Sequence, residues 1–108
     1  RAERKQMKKI INGRMYNTDT AKRLCGADNG CSCRDFSYWE EALYQKKTGE
    51  FFLYGEGGPM SKYSRSCGQN EWCGGYEIKP LSNEKAREWV ELNATADEYI
   101  EIFGEVDE

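Results

Sequence analysis

The chain has 108 residues, five cysteines, no histidine and a net charge of −3. That length supports one domain with its own core, and seven Tyr, four Phe and three Trp make the core aromatic. The missing histidine excludes Ser-His and Cys-His nucleophile pairs, and it obliges any zinc site to use thiolates, with a carboxylate at most as helper.

No apolar run is long enough to span a bilayer and no secretory leader pattern follows the first residues, so a cytoplasmic location is expected. In that compartment the cysteines are expected to be thiols or metal ligands rather than disulfides. Met7-Lys8-Lys9-Ile10 has the look of a natural start. Residues 1–6 are therefore read as an upstream extension or a cloning remnant, and residues 7–108 as a single domain.

Charge is distributed unevenly. Residues 1–47 carry +5, residues 48–81 carry −1 and residues 82–108 carry −7. An acidic C-terminal region is either a solvated face or a surface that docks on a basic groove, where field complementarity speeds association.

In chain order, Ile10-Ile11-Asn12-Gly13-Arg14-Met15-Tyr16 is a type I′ hairpin signal. Thr18 or Asp19 is placed to cap a short helix running to about Leu24, which Gly26 would end. Residues 26–37 read as loop, and Ser37-Tyr38-Trp39-Glu40 fits a capping box, so a helical turn competes with strand before Ala42. From Ala42 onward the sequence is a hairpin around Lys47-Thr48-Gly49. With Gly49 left-handed, Lys46 faces Glu50, Tyr44 faces Phe52, Leu43 faces Leu53 and Ala42 faces Tyr54. Residues 55–75 read as irregular, anchored by Tyr63 and Trp72, and Tyr76–Pro80 as a short strand ended by proline. Ser82 caps a helix over Asn83–Leu92, with Ala86, Trp89, Val90 and Asn93 along one face. Thr95-Ala96-Asp97-Glu98 is a second capping box, ahead of Tyr99, Ile100, Ile102 and Phe103, with Gly104 as the stop.

The expected fold class is α+β: a small antiparallel sheet around the central hairpin, with two C-terminal helices on one side. Trp39, Leu43, Phe52, Tyr54, Trp89, Val90, Ile100 and Phe103 are the expected core.

The cysteines fall as Cys25-x5-Cys31-x-Cys33 before the hairpin and Cys67-x5-Cys73 after it, with glycine neighbours. Four thiolates from two loops describe a structural zinc site that would staple the sheet. Zinc loops, however, space paired ligands by two to four residues, and one cysteine is left over. Four-thiolate zinc, buried or free thiols, and redox or disulfide use all stay open. Cys67 and Cys73 belong to every zinc arrangement that can be drawn.

Other motifs carry less. Gly55-Glu56-Gly57-Gly58 lacks the Lys-Ser/Thr of a phosphate loop and reads as a turn. Glu40 and Glu41 are adjacent on a strand and point to opposite faces, so they do not form a catalytic pair. Lys8, Lys9, Arg14, Lys22, Arg23 and Arg34, near Tyr16, Tyr38 and Trp39, give the N-terminal half the composition of a nucleic-acid-binding surface. The acidity of the whole opposes that role.

Lys8-Lys9-Ile10-Ile11-Asn12-Gly13, Leu43-Tyr44, Gly49 to Gly58, Lys79-Pro80-Leu81-Ser82 and Ile102-Phe103-Gly104-Glu105 resemble small proteins of phages and bacterial mobile elements. With its cysteines the chain is also similar to anti-CRISPR proteins against type II systems, one of which contains zinc. The resemblance implies a non-enzymatic inhibitor that binds an RNA-guided DNA nuclease in the host cytoplasm and blocks nucleic-acid access. It assigns no catalytic residue. The alternative is a zinc-stapled module of a mobile element that contacts nucleic acid or another partner. The residues best placed to meet a basic partner are Glu88, Glu91, Asp97, Glu98, Glu101 and Glu105, with Asp107 and Glu108 beyond them.

Overall fold

The computed structural model describes residues 7–32 and 34–106. The chain is α+β, as its sequence leads one to expect. Strands β1 (Lys8–Ile11) and β2 (Arg14–Asn17) form a hairpin; β3 (Lys22–Asp28), β4 (Trp39–Gln45), β5 (Phe51–Gly57) and β8 (Gly75–Leu81) form an antiparallel sheet in the order β3-β4-β5-β8. A second small hairpin, β6 (Arg65–Gly68) with β7 (Glu71–Cys73), sits between β5 and β8 in the chain. Helices α1 (Asn83–Asn93) and α2 (Ala96–Phe103) follow.

The central hairpin has the expected register. Ala42 lies opposite Tyr54, Leu43 opposite Leu53 and Tyr44 opposite Phe52. Gly49, at φ 98°, closes the loop, and the Lys46 amide donates to the Glu50 carbonyl at 2.8 Å. Asn12 and Gly13 both have positive φ, as a type I′ turn requires.

Side chains alternate across β4 and β5, so the sheet has two cores. One contains Cys25, Leu43, Phe51 and Leu53 and is closed by Ala86 and Val90 of α1. The other contains Ala42, Tyr44, Phe52 and Ile78 and is closed by Tyr16 of β2. Both helix caps form as read: Ser82 accepts from the Lys85 amide, and Thr95 and Glu98 complete a capping box.

Several expectations are corrected. The region after Thr18 is not a helix. Asn17 accepts from the Asp19 amide to make a turn, and Lys22–Asp28 is a strand, bulged between Arg23 and Cys25, that pairs along its length with β4. Trp39 begins β4 directly, so no helical turn precedes it. Residues 55–75 are largely strand, and Trp72 is 61% exposed where Tyr63 is buried. Strand β8 passes through Pro80 to Leu81; it is an edge strand, where a residue without an N–H is tolerated. Of the expected core, Leu43, Phe52 and Val90 are wholly buried, Trp39, Tyr54, Trp89 and Phe103 are half-buried, and Ile100 is exposed.

Candidate functional site

The cysteines do not converge. Cys67 and Cys73 lie on β6 and β7 and are joined to each other in a disulfide. Cys25 is buried in the core beneath α1, where burial, with the nearby Glu98 charge, pushes its thiol pKa up. Cys31 sits beside the Ser37 hydroxyl at 3.9 Å. Cys33 lies outside the described residues. Among the described residues no three Cys, Asp or Glu side chains gather as a metal would need, so a four-thiolate zinc site does not fit this arrangement. Cys67 and Cys73, the two cysteines that every zinc scheme required, are joined to each other in this arrangement.

The acidic residues lie on the two C-terminal helices and just beyond them. Glu88 and Glu91 on α1, Asp97, Glu98 and Glu101 on α2, and Glu105 just beyond are all exposed. Glu98 completes the α2 capping box, and Glu88 approaches Lys85 at 3.7 Å. The remaining four have no ion pair among the described residues. Neither helix has a basic residue in its last turn, so the C-terminal partial charges of both helices add to the negative field. Asp107 and Glu108 lie outside the described residues.

Where α1 meets α2 there is an open groove of about 420 Å³, lined by Val90, Ala94, Ala96, Tyr99, Ile100 and Val106, with Glu91 and Thr95 at its border. Ile100 was expected in the core because it falls on the apolar stripe of α2. The helix has eight residues and does not cover its whole stripe: Phe103 and Tyr99 pack against the core, and Ile100 lines the groove. The surplus of apolar residues on so short a helix was the signal in the sequence.

Beneath this helix pair lies a polar lock that sequence reasoning missed. Glu41, on the helix side of β4, is buried and accepts hydrogen bonds from the Tyr63 hydroxyl, from Trp89 Nε1 at 3.0 Å and from Lys62 Nζ at 2.9 Å. Burial works to raise its pKa, but the bonds from Tyr63, Lys62 and Trp89 outweigh it and hold the carboxyl below its ordinary value. Burial and the same carboxylate push the Tyr63 phenol well above its usual range. At neutral pH Glu41 is an anion with its acceptors occupied and Tyr63 a fixed donor. That is a structural tie between strand, loop and helix, and not an acid–base pair.

The Gly55–Gly58 run is explained by this lock. A Cβ at Gly55 would occupy the space of the Tyr63 ring, and one at Gly58 would press the Phe36 carbonyl at 2.6 Å. The run is no turn: its first three residues continue β5, and glycine lets the 58–64 loop lie flat on the strand.

The basic half is dispersed. Lys8, Lys9 and Arg14 are on the β1–β2 hairpin, Lys22 and Arg23 on the β3 edge, and Arg34 in the following loop. Arg14 is paired with Glu50 at 2.6 Å, and Lys46 covers the face of the buried Tyr16 ring at 3.7 Å. Tyr16 is thus unavailable as a stacking platform for a base.

Fold and geometry together define a class of architecture: a four-stranded antiparallel sheet held between a basic hairpin and an acidic helix pair. No family model, curated protein or solved structure matches the chain.

Proposed function

We propose that the protein is a non-enzymatic inhibitor that docks its acidic helix pair on a basic surface of a bacterial type II RNA-guided DNA nuclease, in the host cytoplasm, and blocks nucleic-acid access. The observation that carries this reading is the run from Glu88 to Val106. It holds six carboxylates and no Lys or Arg, all six carboxylates are exposed, and five of them have no ion pair among the described residues. Nucleases of this kind hold their guide–target duplex in positively charged channels, and an acidic surface competes for such a channel. The target class comes from the sequence resemblance. The carboxylates are recognition groups in this reading, and none has a chemical step to perform.

The test is co-purification with the guide-loaded nuclease together with a target-cleavage assay. Association and loss of cleavage are expected, weakening as salt rises. Reversal of Glu91, Glu101 and Glu105 to Lys is expected to slow association while leaving the circular dichroism spectrum unchanged, because none of the three is a cap or an ion-pair partner. Tight binding to free DNA or RNA with none to the nuclease would replace this reading by the nucleic-acid module. Glu98 is a poor choice for reversal, since it closes the α2 capping box.

A further inference from the structure

The groove between α1 and α2 combines two features that a simple acidic docking face does not need. Its floor is apolar, formed by Val90, Ala94, Ala96, Tyr99 and Ile100. Within its lining Ile100 is 41% exposed and Val106 58%, two aliphatic side chains that face water. Its surroundings are of one charge: Glu91 borders it, Asp97 and Glu101 each follow a floor residue of α2 by one position, and Glu105 precedes Val106. Arg87 of α1 does not line the groove and is engaged with the Phe103 ring and the Tyr99 hydroxyl.

We infer that this groove receives a basic amphipathic helix of the partner protein, whose apolar side chains at i, i+3, i+4 and i+7 enter the floor while its Lys and Arg meet the carboxylates. The inference rests on the reading of the helix pair as the docking surface, and it names what the partner must present there. Charge alone would select any polycation, including ones with no apolar face. The apolar floor selects against those, and the acidic surroundings select against neutral or acidic amphipathic helices. A groove of about 420 Å³ is of the size that buries a few side chains and not a whole domain, so it anchors one segment of a larger contact.

The experiment uses the full chain and three labelled peptides in fluorescence anisotropy: an amphipathic helix of Leu and Lys, a scrambled peptide of the same composition, and the amphipathic pattern with Glu in place of Lys. The first is expected to bind at least about tenfold more tightly than either of the others. Ile100→Asp and Val106→Asp, both at exposed positions, are expected to weaken it by a similar factor with the helical spectrum retained. Equal binding of the scrambled peptide, or indifference to Ile100→Asp, overturns the inference. So does a concentration-dependent dimer in sedimentation that Ile100→Asp abolishes, for then the groove's occupant is a second copy, whose exposed Ile10 and Met15 on a basic hairpin would be the ligand. The nuclease assay separates this from the reading above. Peptide selectivity without nuclease binding sinks the inhibitor and leaves the groove, whereas nuclease binding that survives Ile100→Asp sinks the groove and leaves the inhibitor.

Discussion

The two faces of the central sheet are closed by different chemistry. On the hairpin face, Phe52 is stacked on Tyr44 at 5.3 Å and met edge-on by Tyr16 at 5.5 Å, with Lys46 over Tyr16 as the outermost layer. On the helix face the buried core is more aliphatic, and its margin is held by the Glu41 carboxylate with donors from a loop and from α1. Ring stacking is area burial with modest directional preference, so the hairpin face tolerates small shifts. A buried carboxylate with three donors is directional, and it fixes where α1 sits. The face that positions the acidic helices is the one with the rigid tie.

The largest effect should come from emptying either core. Phe52→Ala is expected to cost about 3–5 kcal/mol and Leu43→Ala about 2–5 kcal/mol in urea denaturation, since both are fully buried and leave cavities. Equal losses would show that the two faces share one cooperative unit.

Next is the lock itself. Tyr63→Phe removes one donor to a buried anion and should cost about 1–3 kcal/mol. Gly55→Ala should do comparable damage by expelling the same ring, and a spectrum in which α1 packing survives Gly55→Ala would mean that the tie is dispensable.

Acid separates the faces further. The folded pKa of Glu41 lies below its unfolded value, so its contribution is full above about pH 4.3 and is lost as pH falls through the folded value. The deficit of Tyr63→Phe relative to wild type is therefore expected to be complete at pH 6 and to shrink below about pH 4. The Phe52→Ala deficit should stay level over that range, because the contacts it removes are ring-to-ring packing and not bonds to a carboxylate. A Tyr63→Phe deficit that is flat with pH would refute the assigned role of the carboxylate.

The smallest effect belongs to a region on neither face. Reducing Cys67–Cys73 releases a closed loop of few residues, worth roughly 2 kcal/mol at most by chain entropy. Both residues are exposed on a two-stranded hairpin outside the main sheet. Hydrogen exchange is expected to speed in 65–73 while the amides of β4 and β5 keep their protection.

The parts legible in the sequence were those governed by local rules. Asn12-Gly13, the Gly49 loop and the Ser82 and Thr95 caps each specify their own geometry, and the Leu43–Leu53 pairing follows once Gly49 is placed. What escaped was decided at long range. The cap signal at Thr18 and Asp19 lost to pairing with β4, and the sequence showed only that Glu41 points away from Glu40, while its donors Tyr63, Trp89 and Lys62 come from elsewhere in the chain. At the candidate site, the acidic run was readable from charge alone. The groove was not, because it depends on how α2 packs against α1 and on the contact of Phe103 with Phe51.

Pro80, described above only as a permitted residue of β8, also bears on behaviour at high concentration. A four-stranded open sheet has two edges at which another chain could add a strand and begin a fibril. Proline on β8 interrupts one of them by withholding a donor and fixing its torsion, and the bulge and paired basic residues of β3 disturb the other. Both edges of the sheet are thereby poorer templates for an added strand than regular, uninterrupted ones would be.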